Sequence, residues 1–424
     1  MHKMKFRGCG SDFMHKICQK VILIVGSFRS EKLLNKGVLM SEKSLCMLPP
    51  MGWNSWNTFT DKIDEKLIFE TAEAMKKEGL LDAGYKYIVI DDCWSLKQRD
   101  ADGRLVADPE KFPGGIKALS DALHEKGFKF GMYSCCGTRT CADYPGSFEH
   151  EFEDAKQFAE WGVDYLKYDN CFKPQHMQDE TLYRRMHLAL CASGRDIVFS
   201  ACQWGTENVH DWIQTTGAHL FRSTGDINDS WNSIKDIALS QLDKQVFSGP
   251  GCHNDMDMLV VGMYGHGGNE YISAGGCSDD EYMTHFALWA LMRSPLMIGC
   301  DVRNMSEAAK KILTNRSLIA INQDPDCNAP FTVNCTSNAP ESIVIARFLT
   351  NGDIALGLFN MGDALAPIAV DFFDLGLPYR SGCELELFDC INEQAYGTRR
   401  EMMIETVKAH ACRIFRCKLK PVNA

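Results

Sequence analysis

Residues 163–171, VDYLKYDNC, begin as an apolar strand and end in a lysine, a carboxylate, an amide and a thiol. Strands often finish in polar turn residues, so one such ending means little. Six other runs along the chain end the same way. In order, the residues at the seven ends are Trp56, Asp91 with Asp92, Tyr133, Lys167 with Asp169, Gln203 with Trp204, Arg222 with Asp226, and Asp255 with Asp257. Packing requires none of them, and acids gathered on one rim repel one another. Buried unpaired charge costs too much to accumulate by accident.

The residue types name a chemistry. Carboxylates bind pairs of hydroxyls, and indole faces pack on sugar C–H surfaces, so the set suits a polyhydroxylated ligand. Two of the carboxylates can act as nucleophile and acid/base in glycoside hydrolysis. Lys167 and Asp169 are two apart on a strand and share a face, so the ammonium is expected to hold Asp169 ionised. A metal reading would use Asp91, Asp92, Asp255 and Asp257, but neither EF-hand spacing nor an HxH pair accompanies them, so no metal and no cofactor is expected. The glycine-rich YGHGGNEYISAGG has no phosphate-loop element and reads as a lid loop. Cys141 and Cys171 follow neighbouring strands; from the residues alone they form a disulfide or stay as two thiols.

Something must carry seven strand ends to one place. From Met51 onward, short β-branched or aromatic runs alternate with amphipathic helical ones. The first helix, DEKLIFETAEAMKKEG, has Asp64 as N-cap, Gly79 as stop and Leu67, Ile68, Ala72 and Met75 on one face. Eight strand–helix units, counting MGWNSW as the first strand, imply a closed (β/α)₈ TIM barrel whose active site lies at the C-terminal strand ends. An open doubly wound sheet is the structural alternative.

After INQDPDCNAP the pattern changes. ESIVIARFL and IALGLFN flank Asn351-Gly352, a hairpin signal, and CELELFD and HACRIFRC alternate with period two. The expected organisation is a basic, disordered extension over residues 1–45, a catalytic barrel over 46–327, and a smaller all-β antiparallel, sandwich-like domain over 328–424.

The net charge is −11, and residues 1–45 hold 9 Lys+Arg against 3 Asp+Glu, so the remainder is strongly acidic. Nucleic acid and anionic membrane are therefore not expected partners; a small carbohydrate is, and a homo-oligomer stays open. VILIVG, residues 21–26, is too short for a membrane span and poor as a signal peptide. The 19 cysteines contain no CxxC pair, so neither a zinc ribbon nor a disulfide miniprotein is indicated, and without a convincing export signal the expected setting is a reducing cytoplasm with most thiols free.

MGWNSWNTF, IDDCW, ADPEKFPGGI, GMYSCCGTRTC, WGVDYLKYDNC, RSTGDINDSW and INQDP resemble glycoside hydrolase family 27, the α-galactosidase and α-N-acetylgalactosaminidase family. The resemblance runs in unbroken order over residues 48–325. It implies a retaining, exo-acting α-galactosidase with Asp169 as nucleophile and Asp226 as acid/base. Trp56, Asp91, Asp92, Tyr133, Lys167, Arg222 and Asp257 match positions that hold galactose, and Gln203 lies in the loop that separates galactose from N-acetylgalactosamine preference. Cys141 and Cys171 match a pair often joined by a disulfide. Same-class alternatives are α-N-acetylgalactosaminidase and β-L-arabinopyranosidase. A silent sugar-binding barrel would lack Asp169 or Asp226, and both are present. An acid/base aspartate should have a pKa above its ordinary value of about 3.9. His253, where many members have Trp, is expected to reshape the pocket, and Cys93 lacks the upstream cysteine it pairs with in secreted animal members.

Overall fold

The computed structural model describes residues 45–334 and 340–422; the basic extension expected over residues 1–45 lies almost wholly outside them. Eight short strands, β1 (Met51–Asn54), β2 (Tyr87–Val89), β3 (Lys129–Cys135), β4 (Tyr165–Asp169), β5 (Val198–Cys202), β6 (Leu220–Arg222), β7 (His253–Asp255) and β8 (Leu296–Ile298), form one parallel sheet. Its order is β7-β6-β5-β4-β3-β2-β1-β8. Just past β7, Leu259 bridges in parallel to Ile298 of β8, with the Leu259 N–H donating to Met297 O at 2.7 Å. That bridge joins the two edges and closes the barrel.

The helices form where capping and periodicity place them. In Glu65–Lys77 the Asp64 carboxylate accepts from Leu67 N, and Leu67, Ile68, Ala72 and Met75 are buried against the sheet. Asp279–Leu291 opens with a full capping box, Ser278 with Glu281, and is buried on nearly every side. The segment that follows β5 is not one continuous helix: it breaks into short turns over Thr206–Asn208, Val209–Trp212 and Ile213–Thr216, with Glu207 and Asn208 at φ 51° and 50°. Left-handed backbone at two successive residues cannot continue a right-handed helix.

Strand parity assigns the barrel interior. On β4, Leu166 and Tyr168 belong to the core between sheet and helices, Tyr168 meeting Tyr183 edge to face at 5.8 Å. Tyr165, Lys167 and Asp169 take the other face. Tyr165 joins Val89, Val198, Leu220, Met258 and Met297 in an apolar floor inside the barrel. Lys167 and Asp169 stand above it.

The C-terminal region is antiparallel throughout. Phe331–Val333 (β9), Ser342–Phe348 (β10), Ile354–Asn360 (β11), Cys383–Asp389 (β13), Gln394–Arg399 (β14) and Cys412–Pro421 (β16) form a six-stranded sheet, and Ala366–Asp371 (β12) pairs with Met402–Val407 (β15). Asn351 and Gly352 turn the β10–β11 hairpin at φ 70° and 77°. Val344, Ala346, Leu356, Ile368 and Val370 fill a core between the two sheets. The opposite face of the large sheet carries Ile345, Ala355 and Phe359, which merge with the barrel's own core. Among the described residues no helix is long and apolar enough to cross a membrane.

Candidate active site

A cleft of about 730 Å³, open to solvent, lies at the C-terminal strand ends, and Trp56, Asp91, Asp92, Tyr133, Lys167, Asp169, Arg222, Asp226 and Asp257 all line it. These come from six strand ends, and Cys202, which ends β5, lines the cleft as the seventh, as placement at strand ends predicts.

Asp169 ends β4 and is 7% exposed. Its Oδ2 accepts the Tyr133 hydroxyl at 2.7 Å, and its Oδ1 accepts the Asn170 N–H at 2.9 Å. Burial raises its pKa above the ordinary carboxylate value, opposed by the charge of Lys167 and by those two donors, which favour the ionised form.

Lys167 corrects the simplest reading of strand parity. Its Nζ ion-pairs with Asp91 Oδ2 at 2.8 Å, so it acts on Asp169 only through space. Asn54 Nδ2 donates to the same oxygen at 2.7 Å, and the Asp91 N–H donates to Ser55 Oγ at 3.0 Å. Burial works against the ammonium, yet the charges of Asp91 and Asp169 hold it firmly protonated. Asp92 accepts from Cys93 N at 2.7 Å and from Ala142 N at 3.1 Å; burial raises its pKa in spite of these donors.

On the opposite wall Arg222 joins two carboxylates. One guanidinium nitrogen donates to Asp226 Oδ1, and another lies 2.8 Å from Asp257 Oδ1. Asp257 sits at φ 77°, in the left-handed region a non-glycine residue seldom takes, and its Oδ2 accepts the Ile227 N–H at 2.8 Å. Desolvation by the wall pushes the Asp226 carboxyl up, but the charge of Arg222 and its hydrogen bond win, so the pKa is lowered. That reverses the direction expected of an acid/base from sequence. Asp255 lies beneath, in a narrow pocket it shares with Tyr165, Ser200, Lys167 and Arg222, where burial and Asp257 raise it to about 6.

Two expected contributors lie elsewhere. Gln203 is fully buried and does not line the cleft; its side-chain amide donates to Asp179, from the helix Asp179–Ser193, and to Thr206. Trp204, the next residue, faces the cleft instead, at φ 68°. His253 is fully buried too, and burial with the neighbouring Arg293 drives its pKa to about 3. Arg293 can only donate, so Nδ1 accepts at 3.2 Å and Nε2–H donates to Cys46 O at 2.9 Å. It shapes no cleft wall.

Other lining residues escaped the strand-end reading: Asn57, Met258, and Asn269, Tyr271 and Ile272 from the glycine-rich loop. Asn269 caps the turn of helix Glu270–Ser273, a signal the sequence did contain. Cys141 and Cys171 form a disulfide beside Asp169, with Cα atoms 5.4 Å apart. Among the described residues one trio could offer metal ligands, Cys141, Asp169 and Cys171, and two of its members are bonded to each other. Cys93 remains a buried thiol.

A closed barrel with paired carboxylates in an open cleft and an antiparallel β domain behind it defines an enzyme that hydrolyses O-glycosyl bonds. Residues 48–324 match the family model described as alpha galactosidase A. The chain belongs to that family, glycoside hydrolase family 27. It is 42% identical over 394 residues to alpha-galactosidase 2 of Arabidopsis thaliana, covering 92% of this chain and 93% of the relative. Alpha-galactosidase I from Mortierella vinacea superposes with a TM-score of 0.80 at 32% identity, covering 88% of this chain and 98% of its own. The Saccharomyces cerevisiae α-galactosidase solved with raffinose superposes at 0.81 and 29% identity, covering 90% and 99%.

Proposed function

We propose that this enzyme is an exo-acting, retaining α-galactosidase that removes terminal α-galactose from small oligosaccharides of the raffinose and melibiose kind. One observation carries the reading: Asp169, buried and held by Tyr133, shares a single cleft with Asp226, which is open to solvent on the Arg222 wall.

In this scheme Asp226, protonated, gives its proton to the glycosidic oxygen while an Asp169 oxygen attacks the anomeric carbon. The glycosidic bond breaks, the leaving group departs as its alcohol, and a galactosyl ester forms on Asp169. Asp226, now ionised, takes a proton from water, whose oxygen attacks the same carbon and frees galactose and Asp169. The Asp226 contact with Arg222 must loosen when the glycoside enters, because the acid has to gain a proton that Arg222 disfavours. Arg222 keeps Asp257 as its partner meanwhile. Asp91 and Asp92, fixed by Asn54, Lys167 and backbone N–H groups, are rigid acceptors for the sugar's hydroxyls, and Trp56 offers an indole for its C–H face.

Rates on nitrophenyl α-galactoside, α-N-acetylgalactosaminide and β-L-arabinopyranoside test the assignment. The galactoside should be fastest by at least about tenfold, a margin of roughly 1.4 kcal/mol in transition-state binding. Similar poor rates on all three would overturn it. A cytoplasmic setting is the second part of the proposal. Buried thiols such as Cys93, Cys135 and Cys136 support it, whereas the Cys141–Cys171 bond belongs more naturally to oxidising surroundings. Fractionation of cells making the tagged chain decides between them.

A further inference from the structure

Tyr271 stands at the cleft wall with 59% of its surface exposed, and its hydroxyl donates to the backbone carbonyl of Asp226 at 2.9 Å. A single exposed ring is ordinary on a protein surface, but this one is held against the cleft wall by its hydroxyl rather than loose. Its loop is tied down at several points. Asn269 caps the turn through Ile272 N at 2.9 Å, and Gly268 N donates to Asn57 O at 2.8 Å. The buried carboxylate of Asp229 accepts from Gly265 N at 2.7 Å and from the Tyr282 hydroxyl at 2.8 Å, and the Asp229 carbonyl accepts from Gly276 N at 3.0 Å. Trp204 lines the same cleft in strained left-handed backbone.

Chemistry says what lies beside Asp226. A general acid delivers its proton to the oxygen of the departing group, so that group occupies the space next to the acid, on the solvent side of the galactose. We propose that Tyr271 forms a leaving-group subsite whose ring packs on the C–H face of a pyranose, with Trp204 as the neighbouring aromatic wall, so that it selects sugar leaving groups over small ones. The inference rests on the reading of Asp226 as acid/base. A ring with its hydroxyl already committed to Asp226 O offers mainly an apolar face, which fits a pyranose better than a charged leaving group.

The test compares kcat/KM on melibiose, whose leaving group is glucose, with kcat/KM on α-galactosyl fluoride, whose leaving group is a single atom. For Tyr271→Ala, melibiose should lose about tenfold or more and the fluoride less than about twofold, with inhibition by galactose unchanged. Tyr271→Phe should keep melibiose activity within about threefold, because the ring is retained. A melibiose loss in Tyr271→Phe as large as in Tyr271→Ala would mean that Tyr271 merely props Asp226 through its hydroxyl. Equal losses on both substrates for Tyr271→Ala would mean a general disturbance of the site, and no loss on either would mean that it touches nothing; each of the three overturns the subsite. The fluoride rate also reports that the variant is folded. A wild-type enzyme inactive on both substrates would instead refute the α-galactosidase reading beneath it.

Discussion

Tyr133 donates its phenolic hydrogen to Asp169 Oδ2 at 2.7 Å, between neighbouring strands whose register places Tyr133 beside Lys167. Lys167 lies with its ammonium 5.4 Å from the Tyr133 ring centre while it pairs with Asp91. A buried carboxylate therefore keeps the Tyr133 hydroxyl on one oxygen and a cation, itself paired with Asp91, within range. Both favour its charge against burial, and neither blocks its approach to a sugar.

Asp169→Asn should lower turnover on nitrophenyl galactoside by about a thousandfold or more, since an amide cannot form the glycosyl ester. A folded variant keeping more than a few per cent of wild-type activity would contradict the role. Stability should move the other way. Because the folded-state pKa of Asp169 is raised, its proton binds more tightly in the native chain, and the associated stability is present in acid and lost as pH rises through that pKa. Melting curves should show Asp169→Asn at least as stable as wild type at pH 7, with the difference shrinking toward pH 4.

The Asp226 prediction turns on the leaving group and on pH. Asp226→Ala should lose far more activity on raffinose than on nitrophenyl galactoside, because nitrophenolate departs with little protonation. Azide should partly restore the latter by attacking the galactosyl ester without a general base. In wild type, kcat/KM falls in acid as Asp169 is protonated and falls in base as Asp226 loses its proton. With Asp226 lowered by Arg222 and Asp169 raised by burial, the optimum should be acidic and the limbs should belong to the pair. In Asp226→Ala the basic limb should vanish for the nitrophenyl substrate while the acid limb stays. A persistent basic limb would move the role elsewhere, with Asp257 the next candidate.

Gly137 tests the frame around the nucleophile. A Cβ there would sit 2.0 Å from the Cys171 carbonyl oxygen and 2.4 Å from Phe172 C, both backbone atoms two and three residues past Asp169. Gly137→Ala should cost about 1–3 kcal/mol in denaturant unfolding and reduce kcat on every substrate alike. Gly249→Ala, with open space around its Cβ, is the control and should stay within about 0.5 kcal/mol. Equal behaviour of the two variants would show that the Cys171 segment yields freely.

Much of this was legible in the chain. Asp64, Gly79 and the apolar face between them fix a helix from local chemistry alone, and acids at successive strand ends mark the rim because barrel topology brings those ends together. What the sequence hid were choices among partners. Parity puts Lys167 on the face of Asp169, but the cation bonds to Asp91, 76 residues earlier, because β2 and β4 both feed the same interior. Gln203 looks like a strand-end ligand until a helix supplies Asp179 to bury it. Asp226 carries both burial and Arg222, and sequence separation does not say which dominates. Such outcomes depend on distances of an ångström or two between distant residues.

The central claim is double displacement through Asp169, and the anomer released first tests it most directly. Proton NMR of nitrophenyl α-galactoside during the first minutes of hydrolysis should show α-galactose appearing before mutarotation produces the β form, as two inversions at the anomeric carbon require. β-Galactose appearing first would mean a single displacement by water, and would remove Asp169 from the role of nucleophile.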